Sequence, residues 1–380
     1  MTRIHHIVIL LLSIFPFLNS CTQKEGQGGG DIPTNIMTEA RLISVVDGKG
    51  FSDVTITNPW DTTKILQHLC LVDNACYDSL IATATLPADA QIVRVPLQHS
   101  LVMSTVHCSL IDELGKDDAI GSVCDASYIK VDAIADRIKD GTIHDCGNSM
   151  APTIERIIEA APDAMLISPY EKMDMAKLDN LNIPIIQCAD YMEPTALGRA
   201  EWMRFYGRLY GCTSDADSLF TLTSSRYAEL TDSAKIYAKN TTPPTVLSDL
   251  CMGSVWYVPS SQSTVGKMYA DAGATNPFAD VKQNGSIAMA KEKVLLNAQH
   301  ATVWLMKYDA EIKGTEGLDK LSTFYRQFDA YKSHNVWLCN TSTSRYFEET
   351  PFHPDWLLAD YLTIFYNINR PTRYFKRICE

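Results

Sequence analysis

The clearest periodic signal in the chain lies between Thr195 and Lys239. Trp202, Phe205, Tyr206, Leu209 and Tyr210 recur at the three-to-four spacing of a buried helical stripe, and Arg199, Glu201, Arg204 and Arg208 fall largely between them. Gly211-Cys212-Thr213-Ser214-Asp215 then supplies a stop and a new N-cap, after which Leu219, Leu222, Tyr227, Leu230 and Ala234 make a weaker second stripe. The spacing predicts two helices over 195–242. On both sides the pattern changes to short continuous apolar runs, at 101–104, 119–123, 143–146, 164–168 and 183–188, and again at 245–250, 255–258, 301–306 and 335–339. Such runs separated by helix-length segments predict parallel strands buried on both faces. Further helices are expected over 266–273 and, after Pro354, over 356–366. The fold class expected is α/β, with two lobes of small, mainly parallel sheets joined by a helical connector and a ligand cleft between them.

The two halves also share a box. Glu155 opens a short amphipathic stretch that Ala161 closes six residues later, Ala164 follows, and an apolar strand comes next; Glu292, Ala298 and Ala301 repeat the plan before the run at 301–306. Ahead of the first lobe the pattern is different again. Runs at 41–47 and 53–57 are separated by Asp47-Gly48-Lys49-Gly50, with another strand candidate at 91–95, which predicts an antiparallel hairpin with an irregular excursion. The division expected is an N-terminal β extension at 38–97, to which no chemistry is assigned, a first lobe at 98–194, the connector at 195–242 and a second lobe at 243–370.

Composition narrows the function classes. The chain has 380 residues, 46% of them hydrophobic and 21% charged, as in a folded protein large enough for two cores. Its net charge of −12, with no basic run, argues against a nucleic-acid partner. Residues 1–20 combine Arg3 with an apolar run from Ile7 to Phe17 and end in Leu18-Asn19-Ser20 before Cys21. That run is too short for a permanent span and resembles a lipoprotein signal peptide, so Cys21 is the expected lipidation site, followed by a flexible tether through residue 37. Export is implied, with the lipid bilayer as one partner. Of the ten cysteines after Cys21, Cys124, Cys146, Cys188 and Cys339 end strand-like runs, where free buried thiols are expected.

Several short motifs, in order, carry a family resemblance: Val106-His107; Cys146-Gly147-Asn148 ahead of Pro152-Thr153-Ile154-Glu155; Pro162-Asp163 before Ser168-Pro169-Tyr170-Glu171; Ile183-Pro184-Ile185; Gly198-Arg199-Ala200-Glu201-Trp202; Trp256-Tyr257-Val258-Pro259; Asp271-Ala272-Gly273-Ala274; and Glu292-Lys293-Val294. Over residues 96–367 the chain resembles the class III (cluster A) substrate-binding proteins of ABC importers for cobalamin, haem and iron-siderophores, in the lipoprotein form found in Bacteroidetes. The resemblance implies a bilobal receptor with no enzymatic activity and no intrinsic cofactor. It would capture a metal chelate, whether cobalamin, an iron-siderophore or haem, and deliver it to an ABC permease dimer in the inner membrane. It also implies that one Glu on each lobe docks to the permease, here Glu155 and Glu292; both open helices, so plain N-terminal capping is the competing reading.

Ligands of open α/β sheets meet the loops leaving the carboxyl ends of strands. One cleft wall is therefore expected to carry Ser104, Thr105, His107, Asp125, Tyr128, Asn148, Ser149, Tyr170, Glu171 and Tyr191, and the other Met252, Trp256, Tyr257, Tyr308, Arg345 and Tyr346. His107 reads either as an axial metal ligand or as a core or capping residue, and Tyr170 and Tyr257 either as ligands of ferric iron or as packing residues. Arg345 reads as a partner for a ligand carboxylate or for Glu348 or Glu349. A receptor for bare metal ions is disfavoured, because the histidines are scattered without close pairing. Two other readings stay in view. One is an exported hydrolase-like enzyme, although no G-x-S-x-G, H-E-x-x-H or Walker A motif occurs. The other is a surface lipoprotein that captures ligand without a permease.

Overall fold

The computed structural model describes residues 34–83, 86–173 and 175–378, which form one compact unit. The expected signal peptide, Cys21, most of the tether and Cys379 lie outside the described residues. Among the described residues no helix is long and apolar enough to cross a membrane.

The first lobe is built on five parallel strands in the order Ile185–Gln187, Met165–Ile167, Ser100–Val102, Ile120–Val123, His144–Asp145. Alternation along each strand explains why the runs read as continuously apolar. Leu101, Met165, Ile167 and Ile185 enter one core, whereas Val102, Leu166 and Ile186 enter the core on the other face. The second lobe repeats the plan with Val246–Ser248, Val303–Tyr308 and Val336–Asn340 in parallel, closed at one edge by the antiparallel strand Lys376–Arg377. The run at 255–258 belongs elsewhere, in an antiparallel three-stranded sheet formed by Cys251–Met252, Val255–Pro259 and Ser286–Ala290. The nine cysteines among the described residues are all free, seven of them buried.

The connector holds three helices where the spacing predicts two: Ala196–Glu201, Met203–Leu209 and Thr213–Asn240. The extra break falls at Trp202, whose N–H donates to Arg199 and whose carbonyl accepts from Phe205, both at the tighter three-residue spacing. The last helix, 28 residues and therefore about 42 Å long, contributes Phe220 to the first-lobe core and Tyr227 and Ala234 to the second. It spans both.

The polar positions between the apolar stripe of the connector are not solvated. Glu201 is fully buried and Arg208 nearly so, because the segment before the first strand lies across them. The Glu201 carboxylate accepts from the backbone N–H groups of Thr38, Glu39 and Ala40 at 2.7–2.9 Å and from the Thr38 hydroxyl at 2.9 Å. Glu193 accepts from Arg41 and Leu42 N–H and from the Trp202 indole at 2.9 Å. Arg208 closes the group with a two-point pair to Asp47 at 2.9 and 2.6 Å. The N-terminal extension itself is a four-stranded sheet, Ile43–Asp47, Phe51–Thr57 and Ile65–Asp73 antiparallel with Gln91–Val95 added in parallel.

Besides the connector, polar bridges join the lobes. Lys130 donates to the carbonyls of Thr341 and Ser344, Arg345 donates to the Ser109 hydroxyl at 2.9 Å, and His353 Nε2 lies 2.7 Å from Glu113. Phe352, next to that histidine, packs into the first-lobe core against Tyr206. His353 is buried and stacked on Trp356, with Asp355 3.7 Å from its other nitrogen. Burial works against its positive charge, but Asp355 and Glu113 more than offset this and hold the proton above the ordinary histidine range. The folded state thus binds this proton more tightly than the unfolded chain does. The resulting stability is complete below about pH 6.5 and is lost as pH rises through the raised folded value. Melting temperatures measured from pH 6 upward are expected to show a gap between wild type and His353→Gln that narrows as pH increases; a gap independent of pH would show that no raised imidazole titration contributes to stability.

Candidate functional site

In the first lobe the strand order reverses at Ser100–Val102. The chain lays the next two strands on one side of it and then returns to the other side with Met165–Ile167. Loops leaving these neighbours diverge and open a crevice at the carboxyl ends of the strands. A cavity of about 300 Å³ sits there, lined by Ser104, Thr105, Asp125, Tyr128, Ser149 and Tyr170 together with Met103, Met150, Ile167, Ser168 and Met173. Asp125 holds the turn with a left-handed backbone at φ +52° and accepts from the Ser149 hydroxyl and N–H. Tyr191 ties the neighbouring loop down by donating to the Pro169 carbonyl at 2.6 Å. Asn148 and Glu171 are exposed beside this cavity rather than in its lining; the Asn148 amide oxygen accepts the Met150 N–H at 2.9 Å and orders the turn.

The second lobe presents a cavity of about 550 Å³ at the ends of its three parallel strands. Met252, Tyr257 and Tyr308 line it with Phe347, Leu321, Tyr325 and the pair Lys307 and Asp249. Burial works against the Lys307 charge, but the Asp249 carboxylate 2.6 Å away holds its proton well above the usual lysine range. Lys130 joins the rims, since it follows Tyr128 in the first wall and binds the carbonyl of Thr341 in the second.

Several expected cleft residues are elsewhere. His107 is buried, with Nε2 2.9 Å from Asp190 and its ring against Tyr206. Burial opposes the Asp190 charge, yet His107 and Arg199, the latter at 3.0 Å, keep that carboxyl below its ordinary range. His107 therefore orients the chain where the first lobe meets the connector and does not face a ligand. Trp256 is fully buried, donates to the Ser248 carbonyl at 2.8 Å and packs among Trp304, Tyr325 and Phe328. Strand alternation sends Trp256 inward and Tyr257 outward. Arg345 bridges to Ser109 and lines a different cavity, and its neighbour Tyr346 is buried in the second core.

Glu155 and Glu292 are both exposed in the first turns of Ile154–Ala160 and Lys291–Ala298. Among the described residues neither carboxylate makes a hydrogen bond or ion pair, so capping does not occupy them. Besides Asp249, Lys307 and Tyr325, the patterns missed Met150, Leu321 and Phe347 in the walls, apolar side chains left exposed on short or irregular segments or at a helix end. The only signal of these last three was an apolar residue without a periodic partner. No three His, Cys, Asp or Glu side chains among the described residues converge to hold a metal ion.

A family model described as periplasmic binding protein matches residues 104–342. Over 261 residues the chain is 28% identical to an uncharacterized lipoprotein of Methanocaldococcus jannaschii, a match covering 65% of this chain and 60% of that protein. A periplasmic haem-binding protein from Pseudomonas aeruginosa superposes with a TM-score of 0.58 at 15% identity, covering 74% of this chain and 98% of the other. The periplasmic vitamin B12 binding protein of Vibrio cholerae superposes with a TM-score of 0.53 at 14% identity, covering 71% and 97%. At these identities the likeness to the two solved structures is one of fold.

Proposed function

The chain belongs to the periplasmic binding protein family, whose model spans both lobes, and on that premise we propose that it captures a metal chelate in the interlobe cleft and delivers it to an ABC permease dimer. It is a substrate-binding protein rather than an enzyme. In this proposal Cys21 carries the lipid and the protein faces the periplasm from the cell envelope.

The observation that carries the reading is the chemistry of the two walls. Tyr128 and Met150 on one side, and Met252 and Tyr257 on the other, are large, mainly apolar side chains left exposed in the two linings. Exposed aromatic and thioether groups lining a concavity suit a bulky ligand with flat or apolar faces. Among the described residues the cations at the two walls are Lys307, which is paired with Asp249, and Lys130 at the rim, whose ammonium is taken up by the carbonyls of Thr341 and Ser344. A ligand with free carboxylates, such as haem with its two propionates, would bury them without a counter-charge, which is costly. Cobalamin or a neutral or cationic iron-siderophore fits better.

Thermal-shift and absorbance titrations of the protein beginning after Cys21 test this. Cyanocobalamin or a ferric hydroxamate siderophore is expected to bind saturably by absorbance and to raise the melting temperature progressively with concentration, through about 2.7 kcal/mol of stabilisation at free ligand a hundredfold above Kd. Haemin is expected to give no specific shift, and Tyr257→Ala to weaken the bound chelate about tenfold. Saturable binding of haemin alone would overturn the charge argument. Turnover of a substrate in place of stoichiometric binding would favour the exported enzyme.

A further inference from the structure

The second lobe holds a cavity of about 860 Å³ that shares no lining residue with either wall of the cleft. Three segments build it: the edge strand Lys376–Arg377, paired antiparallel with Val336–Asn340; the turn from Thr343 to Glu349; and the start of the helix Gly314–Leu321. Lys313, Arg345, Arg373, Lys376 and Arg377 line it, against the carboxylates of Glu311 and Glu349. In a chain of net charge −12 this is a local reversal of sign.

Glu311 and Glu349 do not neutralise Lys313, Arg345, Arg373 and Lys376 together. Glu349 is taken up by Arg373, which donates to it at 2.9 and 3.0 Å, and by the Tyr374 hydroxyl at 3.1 Å. Arg345 shares Glu349 only through a longer ion pair, its Nε 3.6 Å from the carboxylate and without a hydrogen-bond partner. Glu311 is 3.8 Å from Lys313 with both side chains exposed, a pair of little energetic weight. Among the described residues no carboxylate pairs with Lys376. Arg373 also sits 4.0 Å over the Trp356 ring, so together with its pair to Glu349 the guanidinium is ordered before anything arrives. The first turn of the helix Gly314–Leu321, which has no side-chain cap, adds backbone N–H groups and the positive end of the helix dipole. Beneath this rim the floor is apolar, formed by the buried Ile312, Leu338 and Ile378.

We propose that this cavity is a second binding site, for a soluble small molecule carrying at least two negative charges as phosphoryl or carboxylate groups on a body with an apolar face. Crowding several cations around one concavity costs repulsion that a polyanion removes, and the ordered guanidinium and helix start suit its oxygens. The inference does not depend on the identity of the chelate in the cleft.

Calorimetric titration of the full chain with inorganic pyrophosphate at low ionic strength tests it. Saturable binding is expected, tighter than for orthophosphate and weakened by added salt. The double variant Lys313→Glu/Lys376→Glu, whose target side chains are outside the packed core, is expected to weaken it about tenfold or more. Tyr257→Ala, in the cleft, is expected to leave it unchanged. Should the double variant unfold, Lys376→Gln alone serves, with an expected loss of about threefold. Absence of saturable heat in the wild type, equal affinity in a folded variant, or loss of binding in Tyr257→Ala would each overturn the site.

Discussion

Replacing Glu201 with alanine is expected to lower the unfolding free energy by about 3–5 kcal/mol, the range for removing one partner from a buried charged network. The side chain is fully buried beneath residues 38–40, and its two oxygens are the acceptors for three consecutive backbone N–H groups and for the Thr38 hydroxyl. Without the carboxylate those donors, and Arg204 at 3.2 Å, lose their acceptor in a place water reaches poorly. Glu201→Gln is expected to recover little, because its amide would aim N–H groups at N–H groups. Urea unfolding followed by tryptophan fluorescence reads the loss, which corresponds to a fall in melting temperature on the order of 5–10 °C. Proteolysis within residues 34–42 of the variant would show that the strap itself has come loose. A variant that matched the wild type in both measurements would mean that the strap contributes nothing to stability.

That anchor was invisible in the sequence, and the reason is physical. Local pattern reports which face of a helix is apolar, but not what a distant segment does with the polar positions between. Glu201 and Thr38 are 163 residues apart, and a Glu among arginines reads as a solvated helix face until a backbone strap covers it. The parallel strands were legible for the opposite reason: burial on both faces leaves an unbroken apolar stretch, as in Met165–Ile167 and in the first four residues of Val303–Tyr308. Strand ends located the cleft loops, and Ser104, Tyr128, Tyr170, Tyr257 and Tyr308 do line the two cavities. Orientation was harder. One residue of register separates the exposed Tyr257 from the buried Trp256, and the start of a helix does not reveal that His107 turns inward to Asp190. Of the two readings of Arg345, the ion pair with Glu349 is present at 3.6 Å, while its hydrogen bond to Ser109 was illegible because that partner lies in the other lobe.

The larger functional effect is expected from Glu155→Ala/Glu292→Ala. We propose that these two carboxylates dock the loaded protein on its permease, one from each lobe. Both are exposed on the first turns of equivalent helices and are committed to nothing else among the described residues. Each helix also exposes an apolar side chain one turn further on, Ile158 and Leu296, which a monomer leaves unused. Interface charges of this kind chiefly steer and orient a partner, so each single substitution should cut uptake about tenfold or less. The two act on opposite ends of one contact, and loss of both should reduce uptake of the bound chelate about a hundredfold or more in cells expressing the permease. Chelate affinity and melting temperature of the double variant should match the wild type, since neither side chain touches the cleft or a core. Uptake that persists with binding intact would remove the docking role and favour a lipoprotein that gathers its ligand at the surface without a permease. Loss of binding together with uptake would instead mean that the two helices shape the cleft, and the lobes would have to communicate through the bridges at Lys130, Arg345 and His353.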